Sequence, residues 1–174
     1  MTPSAINFPR LWKHVILACP AHDSFSVHGP DHWRRVERNA LILASRTGAK
    51  VEVVRLFAIF HDCRRLSDGW EPSHGRAGAE YAATLRGIFF QLSNEDFALL
   101  QEACIWHTEG KHHPDPTIGT CWDADRLDLG RLDLGRVGLI PHADYMSTRF
   151  GQEIANHGVI HPWLHLAEPY LAES

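Results

Sequence analysis

The chain has 174 residues, 44% of them hydrophobic and 22% charged, with 17 Lys+Arg against 21 Asp+Glu for a formal net charge of -4. At this length roughly two-thirds of the unfolded chain's surface can be buried, so one compact domain spanning 1–174 is expected, without disulfide staples. The mild acidity and the lack of a Lys/Arg run exclude a duplex nucleic-acid partner, and no apolar stretch approaches the roughly 20 residues needed to span a bilayer.

In chain order, Pro30 to Thr47 spaces Trp33, Val36, Ala40, Leu43 and Ala44 as one helical face, with Pro30 in the first turn and Gly48 just past the end. The next segment, VEVVRLFAIFHD, is β-branched at its start, but its length and near-continuous apolar run predict a buried helix through the centre of the domain. Ser73 to Phe89 spaces Ala77, Tyr81, Leu85 and Ile88 for an amphipathic helix, with Gly75 and Gly78 weakening its first turns. Ser93 reads as the N-cap of a helix reaching His107, with Leu92 and Phe97 as its hydrophobic staple. Gly110 to Gly119 reads as a polar loop, followed by a helix from about Cys121 to Arg136. That stretch holds a five-residue tandem copy, Leu127-Asp128-Leu129-Gly130-Arg131 and Leu132-Asp133-Leu134-Gly135-Arg136, too short to be a solenoid period. From His142 onward, Tyr145, Phe150, Ile154, Trp163 and Leu166 give partly helical patterns with turns at Gly158 and Pro162. The fold class is therefore all-α.

Histidine stands out, with 13 residues, and neutral imidazole is the commonest metal ligand. Cys19, Cys63, Cys104 and Cys121 form no Cys-x-x-Cys pair, which argues against a zinc ribbon, a redox pair or a dense disulfide framework. That usage fits a reducing cytoplasm, as does an N-terminus without a basic start and apolar run. His32 lies in the first turn of its helix, His61 and Asp62 close the buried helix, and Asp125 sits inside Asp123-Ala124-Asp125-Arg126-Leu127-Asp128. Helix ends are where such side chains can converge on one cavity. Two imidazoles and two carboxylates form a mixed N/O set suited to Mn, Fe, Co, Ni or Zn.

His32-x-x-Arg35-Val36, then His61-Asp62, then Ala124-Asp125-Arg126-Leu127 resemble in order the motifs of the HD superfamily of metal-dependent phosphohydrolases, over roughly residues 27–136. The resemblance implies an all-α HD bundle in which His32, His61, Asp62 and Asp125 ligate a first metal. His74-Gly75-Arg76 and Trp106-His107-Thr108-Glu109-Gly110 resemble the His-Gly and His-Thr-x-Gly motifs of the two-metal branch, which includes bacterial diadenosine tetraphosphate hydrolases. There His74 and His107 would hold a second ion bridged to the first by Asp62. Two divalent ions about 3.5–4 Å apart can activate a water as hydroxide and clamp phosphate oxygens. The implied function is hydrolysis of a small phosphorylated substrate, a nucleotide or dinucleotide, with His61 and Asp62 catalytic and one or two divalent ions as cofactor, Fe or Mn first, with Co, Ni, Zn or Mg also suitable. The glutamate that some single-metal members carry after the His-Asp pair is replaced by Cys63-Arg64-Arg65, so no general acid is assigned.

Other readings of the same residues stand beside this one. The His/Asp set could be a satisfied polar network, a mixed-valent di-iron oxygenase centre, or the core of a non-catalytic metal-stabilised sensor or binding domain. Arg64, Arg65, Lys111 and Arg126 could meet substrate phosphate, although each reads first as a solvated or structural charge. His28 and Asp31 are candidates for orienting the ligands, and His112 and His113 read as loop or substrate-facing lid. Asp123 rivals Asp125 by spacing alone, Asp128 reads as a local cap or pair, and Trp70 or Trp106 could stack a base.

Overall fold

The structure, a computed structural model, describes residues 6–20, 26–129 and 142–171. Among them the chain forms helices α1 (Phe8–Ala18), α2 (Pro30–Thr47), α3 (Val51–Phe60), α4 (His74–Leu85), α5 (Asn94–Trp106), α6 (Pro116–Arg126), α7 (Arg149–His157) and the short α8 (Glu168–Leu171), with 3-10 turns at Ala143–Tyr145 and His161–Leu166. The all-α fold is as expected, and no helix among the described residues is long and apolar enough to cross a membrane.

Local chemistry sets the helix ends. Pro30 and Gly48 bracket α2 as expected, with Gly48 left-handed at φ 75. Ser93 Oγ accepts from Asp96 N at 3.0 Å to open α5, while Leu92 and Phe97 are both buried over its first turn. Helix α1 went unread in the sequence, although Asn7 caps it by accepting from Arg10 N and Phe8, Leu11, Trp12 and Val15 form its buried face. Helix α4 stops at Leu85, short of Phe89, because the chain turns at Gly87 (φ 87) and Arg86 bridges to Phe90. Helix α6 starts earlier than Cys121. Asp115 accepts from Thr117 N at 2.8 Å and Ile118 N at 3.1 Å, and Pro116 sits in the first turn. The expected continuation to Arg136 and the second copy of the tandem pentapeptide lie outside the described residues. In the tail Gly158 ends α7 with φ 84, but Pro162 opens a 3-10 turn rather than breaking one.

Helix α3 is the central rod, with everything from Val53 to Phe60 buried, and it packs against α2, α4, α5 and α6. Trp33, Phe57, Phe60, Leu41 and Leu100 fill the core around it. Its one buried charge, Arg55, meets buried Glu37 of α2 at 2.8 Å and lies over Phe8 of α1, so a desolvated pair fixes how three helices register. At the far end from the His/Asp residues, Thr117 Oγ1 accepts from Lys50 N and Thr47 meets Thr120, tying the start of α6 to the α2–α3 turn. The tail is clasped by Asp123, whose oxygens accept Ser147 N at 2.7 Å, Thr148 N at 2.8 Å and Thr148 Oγ1 at 2.7 Å.

Gly75 and Gly78 turn out to be contact surfaces. A Cβ on Gly75 would run into the Cys104 carbonyl oxygen and one on Gly78 into the Phe60 carbonyl oxygen, so α4 approaches α5 and α3 at bare-backbone distance. Helix propensity alone favours alanine by about 1 kcal/mol. Gly78→Ala is nevertheless expected to destabilise the fold by about 1–3 kcal/mol through overpacking, read as a lowered urea midpoint with unchanged slope; an equal or higher midpoint would show that α4 can move aside.

Candidate metal centre

Five helix ends bring the expected ligands together. His32 comes from the first turn of α2, His61 caps the C-terminus of α3 with Asp62 next, His74 opens α4, His107 caps α5, and Asp125 lies in the last turn of α6. Because α5 and α6 both end here, the segment 107–115 carries the chain back to the far end of the bundle. His32, His61, Asp62, His74 and His107 are all less than 10% exposed.

The decisive feature is which nitrogen of each ring faces inward. His61 Nδ1 lies 3.2 Å from the Phe57 carbonyl and 3.1 Å from the Ala58 carbonyl. His107 Nδ1 donates to the Cys104 carbonyl at 2.7 Å, and His74 Nδ1 to the Glu71 carbonyl. His32 Nδ1 donates to Asp128 Oδ2 at 2.7 Å. With every Nδ1 facing an acceptor, each ring carries its hydrogen there and turns an Nε2 lone pair inward. Those lone pairs face one another: His32 and His61 at 3.1 Å, His74 and His107 at 2.9 Å. Two lone pairs cannot hydrogen-bond to each other, so each couple is suited to a cation between its nitrogens. Ligands about 2.1 Å from one ion and at right angles to each other sit about 3 Å apart, which matches both pairs.

Asp62 joins the two pairs with opposite oxygens. Its Oδ2 is 3.6 Å from both His32 Nε2 and His61 Nε2, while its Oδ1 is 3.2 Å from His74 Nε2 and 3.6 Å from His107 Nε2. Two clusters that could each hold an ion therefore share one carboxylate: His32, His61 and Asp62; and Asp62, His74 and His107. Asp125 Oδ1 adds to the first, 3.2 Å from His32 Nε2 and 3.8 Å from His61 Nε2. That oxygen is buried with no hydrogen-bond partner, an orphan that a cation would satisfy. The donor set thus fits one or two divalent ions, and all four cysteines are free, with the thiols of Cys63, Cys104 and Cys121 pushed up by burial and so unsuited to thiolate ligation.

The remaining candidates separate cleanly. Of the four cations, only Arg65 touches the centre, its Nε 3.1 Å from Asp62 Oδ1 and its Nη1 on the Ser67 and Gly69 carbonyls. Arg64 instead donates to the Ala18 carbonyl and lies over Tyr81. Arg126 is consumed by the carbonyls of Gly110, Lys111 and Tyr145, and Lys111 is exposed. Asp123 clasps the tail, which leaves Asp125 as the ligand candidate from this helix. His28 pairs with Asp68 at 2.9 Å, Asp31 is exposed, His113 meets Glu102 at 3.2 Å, and His112 is exposed. Trp70 and Trp106 are exposed near the ends of site-bearing segments. Two contributors were missed in the sequence. Asp128, read as a local cap, grips His32; its spacing of three from Asp125 at a helix end was the signal. Thr108 Oγ1 lies 3.2 Å from His107 Nε2 and 3.4 Å from His74 Nε2.

Burial pushes the His61 imidazole down to about 3, outweighing the nearby charges of Asp62 and Asp125. Burial also presses on His107, but the hydrogen bond and charge of Asp62 leave it raised. Burial alone would raise Asp62 and Asp125; the neighbouring imidazoles instead hold both below the usual carboxylate range. For the metal-free protein the signs follow. Unfolded His61 takes a proton near about 6.5 while the folded ring stays neutral, so stability falls as pH drops below about 6.5. The raised His107 contributes stability that is fully present below about 6.5 and is lost as pH rises through its folded value. The two carboxylates contribute stability that is present above about 4 and is lost below it. The window from about pH 6 to 4.5 therefore reports His61: in chelator, the wild-type melting temperature should drop by about 4 °C across it, and His61→Gln should flatten that slope in thermal melts followed by circular dichroism.

No family model and no curated protein matches the chain. Among solved structures it is similar to the crystal structure of a predicted HD superfamily hydrolase from an uncultured Thermotogales bacterium, at 25% identity and a TM-score of 0.68, over 95% of this chain and 92% of that one. With the five converging helix ends, that likeness identifies the architecture as an HD-domain helical fold.

Proposed function

We propose that the protein is a metal-dependent phosphohydrolase acting on a phosphate ester, a nucleotide or dinucleotide, at a two-ion centre. His32, His61, Asp62 and Asp125 would hold the first ion, and Asp62, His74 and His107 the second. The observation that carries this reading is the pair of inward Nε2 lone-pair couples bridged by the two oxygens of one buried carboxylate. The nitrogen and oxygen donors suit Fe or Mn best. Such ions, when bound, supply hydroxide at neutral pH and neutralise phosphate oxygens in line with attack.

The chain's own groups do the rest. Asp62 sets the spacing of the two clusters, and Arg65 orients Asp62 through Nε. Arg65 Nη2 makes no hydrogen bond among the described residues, so the guanidinium can also donate to a phosphate oxygen beside the second cluster. Thr108 sits at the exposed rim of that cluster. Once His74 and His107 commit their lone pairs, its hydroxyl is released to orient an oxygen of the substrate.

The test is metal analysis together with a hydrolysis screen over dinucleoside polyphosphates and nucleoside monophosphates. The expected results are about two ions per chain, about one in His74→Ala, and metal-dependent phosphate release abolished in His61→Ala and Asp62→Ala with helicity retained. Arg65→Met should lower kcat/KM about 10–100-fold, the worth of one charge-assisted hydrogen bond. Oxygen consumption without phosphate release would replace this function with the di-iron oxygenase, and full metal loading without turnover of any substrate would favour a binding domain.

A further inference from the structure

Each inward imidazole is held from behind through Nδ1, but by two kinds of acceptor. His61, His74 and His107 lean on neutral backbone carbonyls of their own helix or the turn before it. His32 alone leans on a carboxylate, Asp128 Oδ2 at 2.7 Å, which reaches it across 96 residues of sequence and is itself buried. The other oxygen of Asp128 accepts from Arg35 Nε at 2.8 Å, on the same face of α2 one turn further on. A charged acceptor holds a ring more firmly than a carbonyl does and feeds electron density to the opposite nitrogen.

The two clusters differ in a second respect. The first faces two carboxylates, through Asp62 Oδ2 and Asp125 Oδ1, with Asp128 behind them. Among the described residues the second has a single carboxylate oxygen, Asp62 Oδ1, already shared with the Arg65 guanidinium. A cation entering the second cluster therefore meets less negative charge, and a positive neighbour about 3 Å behind its only carboxylate oxygen.

We infer that Asp128 is a positioning residue that, through His32, makes the first cluster the tight one, so that ions load in order and the second stays exchangeable. This rests on the two-ion reading above. It adds an asymmetry in which activity follows the free concentration of divalent cation, because only the second ion leaves at low supply.

The full chain, stripped of metal, is titrated with Mn2+ while free Mn2+ is followed by electron paramagnetic resonance. Wild type should show two steps at least about tenfold apart. Asp128→Asn should weaken the first about 10–100-fold and leave the second within about threefold. Arg35→Gln, which removes the other arm of Asp128 without touching the imidazole, should leave both steps within about threefold. Equal steps in wild type, an unshifted first step in Asp128→Asn, or an Arg35→Gln effect as large as that of Asp128→Asn would each overturn the inference, the last by making Asp128 a brace between α2 and α6. If Asp128→Asn loses helicity, the 15N shifts of His32 in metal-free wild type decide: hydrogen on Nδ1 supports the inference and hydrogen on Nε2 overturns it. No Mn2+ uptake by wild type sinks the two-ion reading itself, an outcome distinct from two normal steps that ignore Asp128.

Discussion

Four imidazole lone pairs and three carboxylate oxygens are aimed at one another among largely buried side chains, and the rest of the fold is arranged around that unfavourable fact. The imidazoles cannot relieve it among themselves, because each ring has already spent its hydrogen on an outer acceptor, and the Thr108 hydroxyl and the Arg65 guanidinium reach only the second cluster. A divalent cation would relieve it at once; protons do so only in part, since burial keeps His61 neutral. Ion binding and folding are then linked, as they are wherever a site's ligands repel until filled. A polar network satisfied without metal would look different. Its imidazoles would alternate donor and acceptor, and Asp125 Oδ1 would have a partner.

Holding such a cluster together demands rigid supports, and helix ends supply them. Three C-termini, those of α3, α5 and α6, point their partial negative ends at the site, which favours a cation. Two of the imidazoles cap those helices and donate to carbonyls in the preceding turn, so one residue both finishes a helix and presents a ligand. The bare faces of Gly75 and Gly78 let α4 come close enough for His74 to join them. The charges divide by role in the same way. Arg55 and Arg126 are committed to packing and carbonyls, which leaves Arg65 as the cation at the centre.

Much of this was legible in the sequence because it is written locally. Periodicity and caps set α2, α3 and α5 nearly to the residue, and the six His/Asp ligand candidates named from the ordered motifs lie together, with Asp128 and Thr108 beside them unforeseen. What escaped depends on tertiary contact. The two glycines of α4 look like weak helix formers in one dimension and are contact surfaces in three. Asp115-Pro116 is an N-terminal signal for α6 that the surrounding Gly, Pro and His residues disguised as loop. The three candidate arginines and one lysine were indistinguishable by type, since a cation's partner depends on which carbonyl or carboxylate folding brings to it. Asp128 had the right spacing but no local mark of its distant partner, His32.

The end of α6 shows how tightly such a site must be pinned. Asp125 carries the orphaned oxygen, and its neighbours on the same turn each tie it to a different part of the chain. Asp123 grips the amides of Ser147 and Thr148, Arg126 gathers the carbonyls of Gly110, Lys111 and Tyr145, and Asp128 reaches His32 and Arg35. Asn39 of α2 closes the remaining side through the Ala124 carbonyl. A carboxylate free to swing would relieve its repulsion by turning toward water, and the cluster would lose its demand for a cation. Fixing that one helix end from four directions keeps the demand in place, and it explains why the segment 142–151, remote in sequence from every candidate ligand, belongs to the architecture of the centre.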